Sequence, residues 1–553
     1  MALADQSAAS SSFAPLRQRV FLVLWLATVL GNVGSFMRDV ASGWMVTELS
    51  ASPAAVSLIQ AAATLPVFLL ALPAGVLSDI LDRRRFLMAV QVLLAGVSLT
   101  LLVLSSLDSL SVASLVALTF VGGIGAALIG PTWQAIVPEL VPREDLKNAV
   151  ALNSLGVNIA RAIGPAVGGL LLASFGAAVT YGADVLSYVA VIAALWWWRR
   201  APAPDTGLTE QFNGAFRAGL RYARASRELH VVLLRAAVFF LFASAVWALL
   251  PLVARQLLGG GAGFYGVLLG AVGAGAIGGA VLLPRLRRRL DADGLMLAAG
   301  LLSALVMVAL ASAPPAWLAV GLMLLLGLGW ITALTTLNGV AQAVLPNWVR
   351  GRGLAVYLTV FNGAMAGGSL GWGVVAQGVG VPLALVIGAI GLAAAALVMR
   401  RVRLPAGEAD LAPSNHWPEP LLDAPVAHDR GPVMVQIEYR VRREDRNAFL
   451  SAVTHLAHER RRDGAYAWGI MEHSGEPERV VEWFLVESWA EHLRQHQRVS
   501  KADADVQEAV ARYHQGPDRP VVHHFLGLDP VSSPGAGAAT GPAAGPGAPG
   551  TPG

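Results

Sequence analysis

"GVNIARAIGPAVGG", Gly156–Gly169, sets one arginine in a stretch with almost no other charge and crowds glycine and alanine around a proline. Its meaning depends on the solvent that surrounds it. Hydrophobic residues make up 55% of the 553-residue chain and charged residues only 14%, with a mean hydropathy of +0.58. Soluble globular proteins are about 25% charged, so most of this chain belongs in a bilayer. In lipid, Gly156, Ala160 and Gly164 at spacings of four form a smooth helix face. Such faces let two helices approach closely, because packing, not water exclusion, drives their association. Pro165 removes a backbone hydrogen bond and can kink the helix. An arginine at Arg161 then lies near the bilayer midplane, where it costs about 2.5–3.5 kcal/mol on insertion scales. It must face a water-filled cavity or a carboxylate.

A hydrocarbon core of roughly 30 Å needs about 20 apolar residues per helix. On that criterion twelve spans are expected, near 18–46, 53–78, 84–106, 110–137, 147–173, 177–198, 230–254, 262–284, 293–313, 316–344, 353–377 and 380–399. The first apolar run is too long for a signal-peptide core and is expected to remain as a span. The short loops test this count. On one side they carry Arg17 and Arg19, Arg83–Arg85, Arg143 with Lys147, Arg285–Arg289, Arg350 and Arg352, and Arg400, Arg401 and Arg403. The loops "ELSASPA", "SSLDSLS", "SFGAAVT", "ASAPPAW" and "AQGVGVP" on the other side have no Lys or Arg, and Arg255 is the clear exception. By the positive-inside rule both termini are expected in the cytoplasm, at a bacterial inner membrane. The basic residues are nearly all arginine, with Lys147 and Lys501 the only lysines and a net charge of +4. No basic face with interleaved aromatics accompanies them, so they read as coding bias and no nucleic-acid partner is expected. The absence of cysteine excludes disulfides and thiolate chemistry.

The chain repeats itself. "QAIVP" at Gln134–Pro138 recurs as "QAVLP" at Gln342–Pro346, and Arg83–Arg85 recurs as Arg287–Arg289. Two duplicated six-span halves follow, at 1–198 and 230–403, joined by a cytoplasmic linker at 199–229. In that linker "FNGAFRAGLRYARAS" sets Phe and Leu opposite Arg217, Arg221 and Arg224, as an interfacial helix would. Parallel six-span repeats with a site between them are a transporter plan. Residues 404–430 read as a Pro-rich linker, and 529–553 as a low-complexity tail. Between them, 431–528 has the order strand "VMVQIEY", helix "REDRNAFLSAVTHLAHERR", strands "AYAWGIMEH" and "RVVEWFLVES", helix "EHLRQH" and strand "PVVHHFL". That order predicts a small α+β ferredoxin-like domain.

The loop "GVLSDILDRRR", Gly75–Arg85, resembles the loop motif of the major facilitator superfamily, and more closely the branch of enterobactin exporters and transmembrane secretion effectors. The resemblance implies a twelve-helix all-α membrane fold, with Gly75 for tight packing and Asp79 interacting with a helix N-terminus or an Arg of the other half. Arg83 and Arg84 would meet acidic partners and the lipid surface. Ile80 stands where the family often has a basic residue. Simple positive-inside orientation is the plainer account of this loop. Gly156, Gly164, Pro165, Gly168 and Gly169 resemble the fifth-span motif of the superfamily's exporters, thought to seal the cavity between the halves; generic small-residue packing explains them too. The soluble segment is similar to antibiotic-biosynthesis-monooxygenase-like modules through its element order and "SWAEHLRQHQRV".

The few deep polar groups are the candidate transport site. Asp39 with Arg38 lies in the first span, Arg161 in the fifth and Asp184, in "YGADVLSY", in the sixth. Either Asp39 is a protonatable group with Arg161 as its electrostatic partner, or all four form a static ion-paired core. Asn32, near midplane on the first helix, is the best candidate to line the pathway. His492 and His496, four apart, could share a metal, but no Glu completes an HExxH pattern and an exposed polar face explains them as well. No metal, cofactor or catalytic residue is expected. No phosphate-cradling GxxxxGK[ST] loop is present for ATP, so the expected activity is proton-coupled export of a small amphipathic molecule by alternating access. An importer of the same fold, or a membrane-tethered enzyme acting through 431–528, is the alternative. Self-association through the C-terminal domain is expected.

Overall fold

The computed structural model describes residues 13–199, 212–346, 348–405, 426–427 and 430–528. The tail at 529–553, most of the 404–430 linker and the side chains of Asp79, Arg143 and Arg217 lie outside the described residues. The chain divides between Leu411 and Ala412 into two compact units.

The first unit is helical: α1 (Arg19–Leu49), α2 (Pro53–Ile80), α3 (Arg83–Ser106), α4 (Val112–Leu140), α5 (Leu146–Trp197), α6 (Phe212–Ala225), α7 (Arg227–Leu252), α8 (Ala262–Leu286), α9 (Ala292–Ala311), α10 (Ala316–Ala343), α11 (Arg350–Val379) and α12 (Val381–Met399). Among the described residues, eleven helices are long and apolar enough to cross a membrane. Polar residues in the short loops stop and start them. Ser52, Asp82, Ser111, Ser226 and Asp291 each accept a bond from an N–H of the helix they precede, satisfying donors the helix leaves open. Pro66, Pro131 and Pro165 lie inside these helices, a position that membrane helices tolerate.

α5 is 52 residues long; straight, it would measure about 78 Å, more than twice the hydrocarbon thickness. It is not straight. Gly176 has φ +80° and ψ 177°, a conformation essentially confined to glycine. Before it, Gly156, Gly164 and Gly168 meet Val29, Phe36 and Met37 in ascending order. After it, Tyr181, Tyr188 and Val191 meet Ser42, Ser35 and Gly31 in descending order. The two segments therefore run in opposite directions along α1. The expected loop "SFGAAVT" shrinks to one reversing residue. Gly380, with φ +85° and ψ 158°, turns the chain in the same way between α11 and α12.

The pairings within 19–197 recur within 227–399. α1 packs on α5 as α7 packs on α11, α2 on α4 as α8 on α10, and α3 on α5 as α9 on α12. Two seams join these sets, α5 with α8 and α2 with α11. A Cβ at Gly169 would lie 2.7 Å from the Gly266 Cα, and one at Gly273 2.6 Å from the Ala162 Cα, so backbone meets backbone. In the other seam a Cβ at Gly363 would lie 2.6 Å from the Phe68 ring, and Ser52 Oγ donates to Gln377 Oε1 at 2.7 Å. Gly273–Ala162 and Gly363–Phe68 lie at mid-span, whereas Gly169–Gly266 and Ser52–Gln377 lie toward the end whose loops lack Lys and Arg, the neutral end. Arg255, the exception to the charge asymmetry, is there because it works across the seam: it donates to the Thr47 carbonyl and to Thr47 Oγ1 at 3.2 Å. Toward the basic end, a Cβ at Gly130, Gly278 or Gly339 would meet no described atom within 4 Å.

The second unit has β1 (Val433–Arg440), α13 (Arg446–Asp463), β2 (Ala467–His473), β3 (Glu476–Val486), α14 (Trp489–Arg498), α15 (Lys501–Ala511) and β4 (Val521–Leu526). Its strands form one antiparallel sheet in the order β2-β3-β1-β4. The single helix expected between β3 and β4 is two. Val499 is extended, and Ser500 opens a new helix through a capping box with Asp503. Phe449, Val453 and Leu456 of α13 pack on Val433, Val435 and Phe484 of the sheet. Glu482, fully buried, accepts from Arg460 Nε at 3.2 Å, Tyr439 Oη at 3.1 Å and Trp468 Nε1 at 3.0 Å, so this carboxylate is occupied structurally.

A Cβ at Gly176 would meet nothing within 4 Å, so Gly176→Ala tests the backbone alone. It is expected to cost about 1–3 kcal/mol, read as a lower unfolding temperature in detergent. Gly278→Ala, also in open space but helical, is expected to leave that temperature unchanged.

Candidate functional site

Helix geometry decides which side chains face the space between the seams. On the first segment of α5, Gly156, Ala160, Gly164 and Gly168 are turned to α1, while Ala162, Ala166 and Gly169 meet α8. Leu155, Ile163 and Leu170 are 46%, 49% and 64% exposed on the outer surface. At 100° per residue the remaining stripe, Ser154, Asn158, Arg161 and Pro165, points away from that surface and into the bundle between the two sets of helices. On α1, Gly43 touches Tyr265 of α8. Asn32 and Asp39, seven apart and in line with Gly43, share that face, opposite the outward Leu26 and Leu30. A polar crevice results, lined by Asn32 and Asp39 on one wall and Ser154, Asn158 and Arg161 on another.

Beside it lies a buried network. Arg38 donates to Asp39 Oδ1 at 3.1 Å and to the Tyr188 hydroxyl at 3.0 Å, and pairs with Asp184 Oδ2 at 3.7 Å. Asp184 is fully buried and accepts from Ser98 Oγ at 2.6 Å and from Ser187 Oγ at 3.3 Å. Ser35 Oγ lies 2.9 Å from the Tyr188 hydroxyl. Asp39 differs from Asp184: its side chain is 55% exposed, against 11% for Arg38. One guanidinium thus holds a solvated carboxylate and a dry one. Adjacent on α1, Arg38 and Asp39 leave the helix about 100° apart, yet the length of the arginine lets them meet.

The expected partners are therefore rearranged. Arg38, Asp39 and Asp184 come together; Arg161 does not join them, and among the described residues it has no hydrogen-bond or ion-pair partner. Asn32 likewise has no hydrogen-bond partner among the described residues. Ser98, Ser35, Ser187 and Tyr188 escaped the sequence reading. A signal was present for one of them: Tyr181, Asp184 and Tyr188 are spaced by three and four, which puts them on one helix face.

In the loop motif, Arg83 pairs with Glu139 of α4 at 2.6 Å. Arg84 donates to the carbonyls of Leu195 and Trp196 at 2.7 and 2.9 Å, a cation on the C-terminus of α5. Arg235 does the same for α12, donating to the carbonyls of Met399 and, at 3.1 Å, Val402, while pairing with Asp293 at 2.9 Å. A Cβ at Gly75 would meet no described atom within 4 Å. On the fifth span, by contrast, Gly156, Gly164, Gly168 and Gly169 all sit at close helix approaches, and Pro165 offers its carbonyl 2.7 Å from where a Cβ of Gly266 would stand.

In the second unit, His492 is 1% exposed, which corrects the exposed-face explanation of the histidine pair. Burial, then the neighbouring His496 and His524, push its pKa down to about 3.

The profile of the transmembrane secretion effectors, a family of the major facilitator superfamily, matches residues 10–531. The chain belongs to this family. It is 26% identical over 438 residues to the multidrug efflux pump Tap of Mycobacterium tuberculosis, covering 73% of this chain and 98% of that protein. It is 28% identical over 165 residues to the staphyloferrin A transporter of Staphylococcus aureus, covering 30% and 42% of the two chains. Macrolide efflux protein A of Streptococcus pyogenes is 23% identical over 242 residues, covering 43% and 60%. In fold, the chain is similar to an inward-facing bacterial homolog of the lysosomal transporter Spinster, with a TM-score of 0.56 at 15% identity over 70% of this chain and 98% of that one. The nucleoside transporter NupG gives 0.60 at 9% identity, over 69% and 99%. The protein is a multi-pass membrane transporter of small molecules, which sets aside the reading as a membrane-tethered enzyme.

Removing the arginine of the network strands a buried carboxylate, at a cost of about 3–5 kcal/mol. Arg38→Met is expected to extract from membranes as aggregate, and the double variant Arg38→Met/Asp184→Leu to recover a monodisperse protein that does not transport, as judged by gel filtration and an efflux assay.

Proposed function

We propose that this facilitator exports small amphipathic molecules, drugs or siderophores among them, across a bacterial inner membrane in exchange for protons. Twelve spans are proposed, with α5 counted as two: the reversal at Gly176, its match in Gly380 and the recurring pairings support that count. The basic end is then cytoplasmic, with both termini on that side, and reporter fusions in the 200–211 segment and beyond residue 405 should both read cytoplasmic. In this orientation the seams close the outer end and the crevice opens inward, ready to load a substrate from the cytoplasm. Rocking about the glycine seams would carry it across. The export direction is supported by the similarity to efflux pumps and by Gly169 of the fifth span, which lies in the seam between the halves against Gly266.

The observation that carries the coupling is Asp39, a solvated carboxylate in the crevice sharing Arg38 with the dry Asp184. When Asp39 takes a proton it releases its hold on Arg38, and the guanidinium turns wholly to Asp184 and Tyr188. The crevice then keeps the positive charge of Arg161 without the Asp39 counter-charge, so proton and substrate compete for one electrostatic site. The second unit is proposed to be ferredoxin-like, on the strength of its strand order. It is proposed to self-associate with a second copy through the sheet face opposite its helices, where Trp483 lies over Gly469 and Phe525 is 47% exposed. Cross-linking of the full chain in membranes should trap a dimer that Trp483→Glu weakens.

The central experiment uses proteoliposomes, an imposed pH gradient and a fluorescent amphipathic cation as probe. The wild type is expected to move the probe against the proton flow. Asp39→Asn should cut gradient-driven movement by at least about tenfold, about 1.4 kcal/mol in the barrier, without loss of folding. Asp39→Asn at the wild-type rate would remove the coupling role, and movement of the probe together with protons would favour the importer.

A further inference from the structure

α14 carries His492 and His496 four residues apart, so both leave the same helix face. β4 brings His524 against them on the helix-covered side of the sheet, with the rings of His492 and His524 centred 4.7 Å apart. The Nε2 atoms of His492 and His496 are 3.2 Å apart, and ligand nitrogens of all three lie within 4.8 Å of one another. Two nitrogens held at about 2.0–2.1 Å on a tetrahedral zinc stand roughly 3.3 Å apart. The first two histidines therefore already have the spacing of a chelating pair, and a side-chain rotation would bring in the third.

The surroundings fit the same purpose. Trp489 lies against His492 and His524, with ring centres 5.3 and 6.1 Å away, and forms an apolar wall. His492 Nδ1, the nitrogen turned away from His496, is buried near the Gln495 side chain, which leaves Nε2 for the metal. A direct N–H···N bond between His492 and His496 would account for their own spacing, but not for a third imidazole converging on the same point. Among the described residues no carboxylate joins the group. That disfavours calcium and magnesium, which take oxygen ligands, and suits zinc, copper or nickel, which accept imidazole.

We propose that His492, His496 and His524 form a binding site for a divalent transition metal, zinc by preference, with water in the fourth position. The metal would tie α14 to β4, whose only partner strand among the described residues is β1, and so brace that edge of the sheet. The assignment is independent of the transport reading, since none of these residues belongs to the membrane unit.

The test takes the full chain, purified through an affinity tag that contains no histidine and stripped with a chelator. Zinc is titrated calorimetrically and counted per chain after dialysis, and cobalt(II) is used as a spectroscopic substitute. The expected results are one retained zinc per chain, the intense visible absorption of tetrahedral cobalt, and a higher unfolding temperature with metal. His496→Gln and His524→Gln, both at partly exposed positions, should each weaken zinc binding by at least about tenfold. Failure to retain stoichiometric zinc would overturn the site, as would undiminished binding in the double variant. Should either variant fold poorly, the wild-type cobalt spectrum decides alone: a weak six-coordinate spectrum rejects the proposal. Loss of probe transport in Asp39→Asn has no bearing on any of these outcomes.

Discussion

Gly169 and Gly266 put the backbones of α5 and α8 in direct contact, each where a Cβ would overlap the other chain. Lipid offers helices no hydrophobic reason to associate, so close backbone approach is what makes such a joint. The remaining architecture follows from where this joint lies. Both seams join the helices from the neutral end to mid-span, and the polar faces of α1 and α5 border the crevice between the two sets. Small residues also keep the joint smooth: a large side chain would lock it, whereas glycine surfaces let one set of helices turn on the other.

The crevice in turn changes what a charge costs. Asp184 is dry and survives because Arg38, Ser98 and Ser187 satisfy it. Asp39, one residue from Arg38, reaches the crevice and is more than half exposed. The same guanidinium therefore meets both environments, and this links a solvated carboxylate to the packing of α1 and α3 on α5. Three other arginines are held by backbone carbonyls. Arg84 and Arg235 cap the last helices of the two sets, and Arg255 ties α1 to the residues after α7.

Much of this was legible in the residues. Apolar run length located the helices to within a few positions, and the glycine spacing on α5 predicted a smooth face. The partners were not legible. Arg161 looked like the natural counter-ion of Asp39 because both are deep, but the fold sends Arg161 to the opposite wall. Ser98 carries no mark that distinguishes it from other helical serines; only the packing of α3 on α5 makes it the donor to Asp184. In the soluble unit the i, i+4 histidines were visible, while His524, 28 positions beyond His496, joins them only because β4 pairs with β1.

Sequence alone determined the solvent, the length of the apolar runs, their charge asymmetry, and the internal echo between the two halves of the membrane unit. Each of these follows from local composition and from periodicity along a single helix. The tertiary structure decided which polar groups meet, which face water, and where the backbones touch. Those outcomes depend on how several helices rotate and tilt against one another, and no property of one helix encodes the face its neighbour presents.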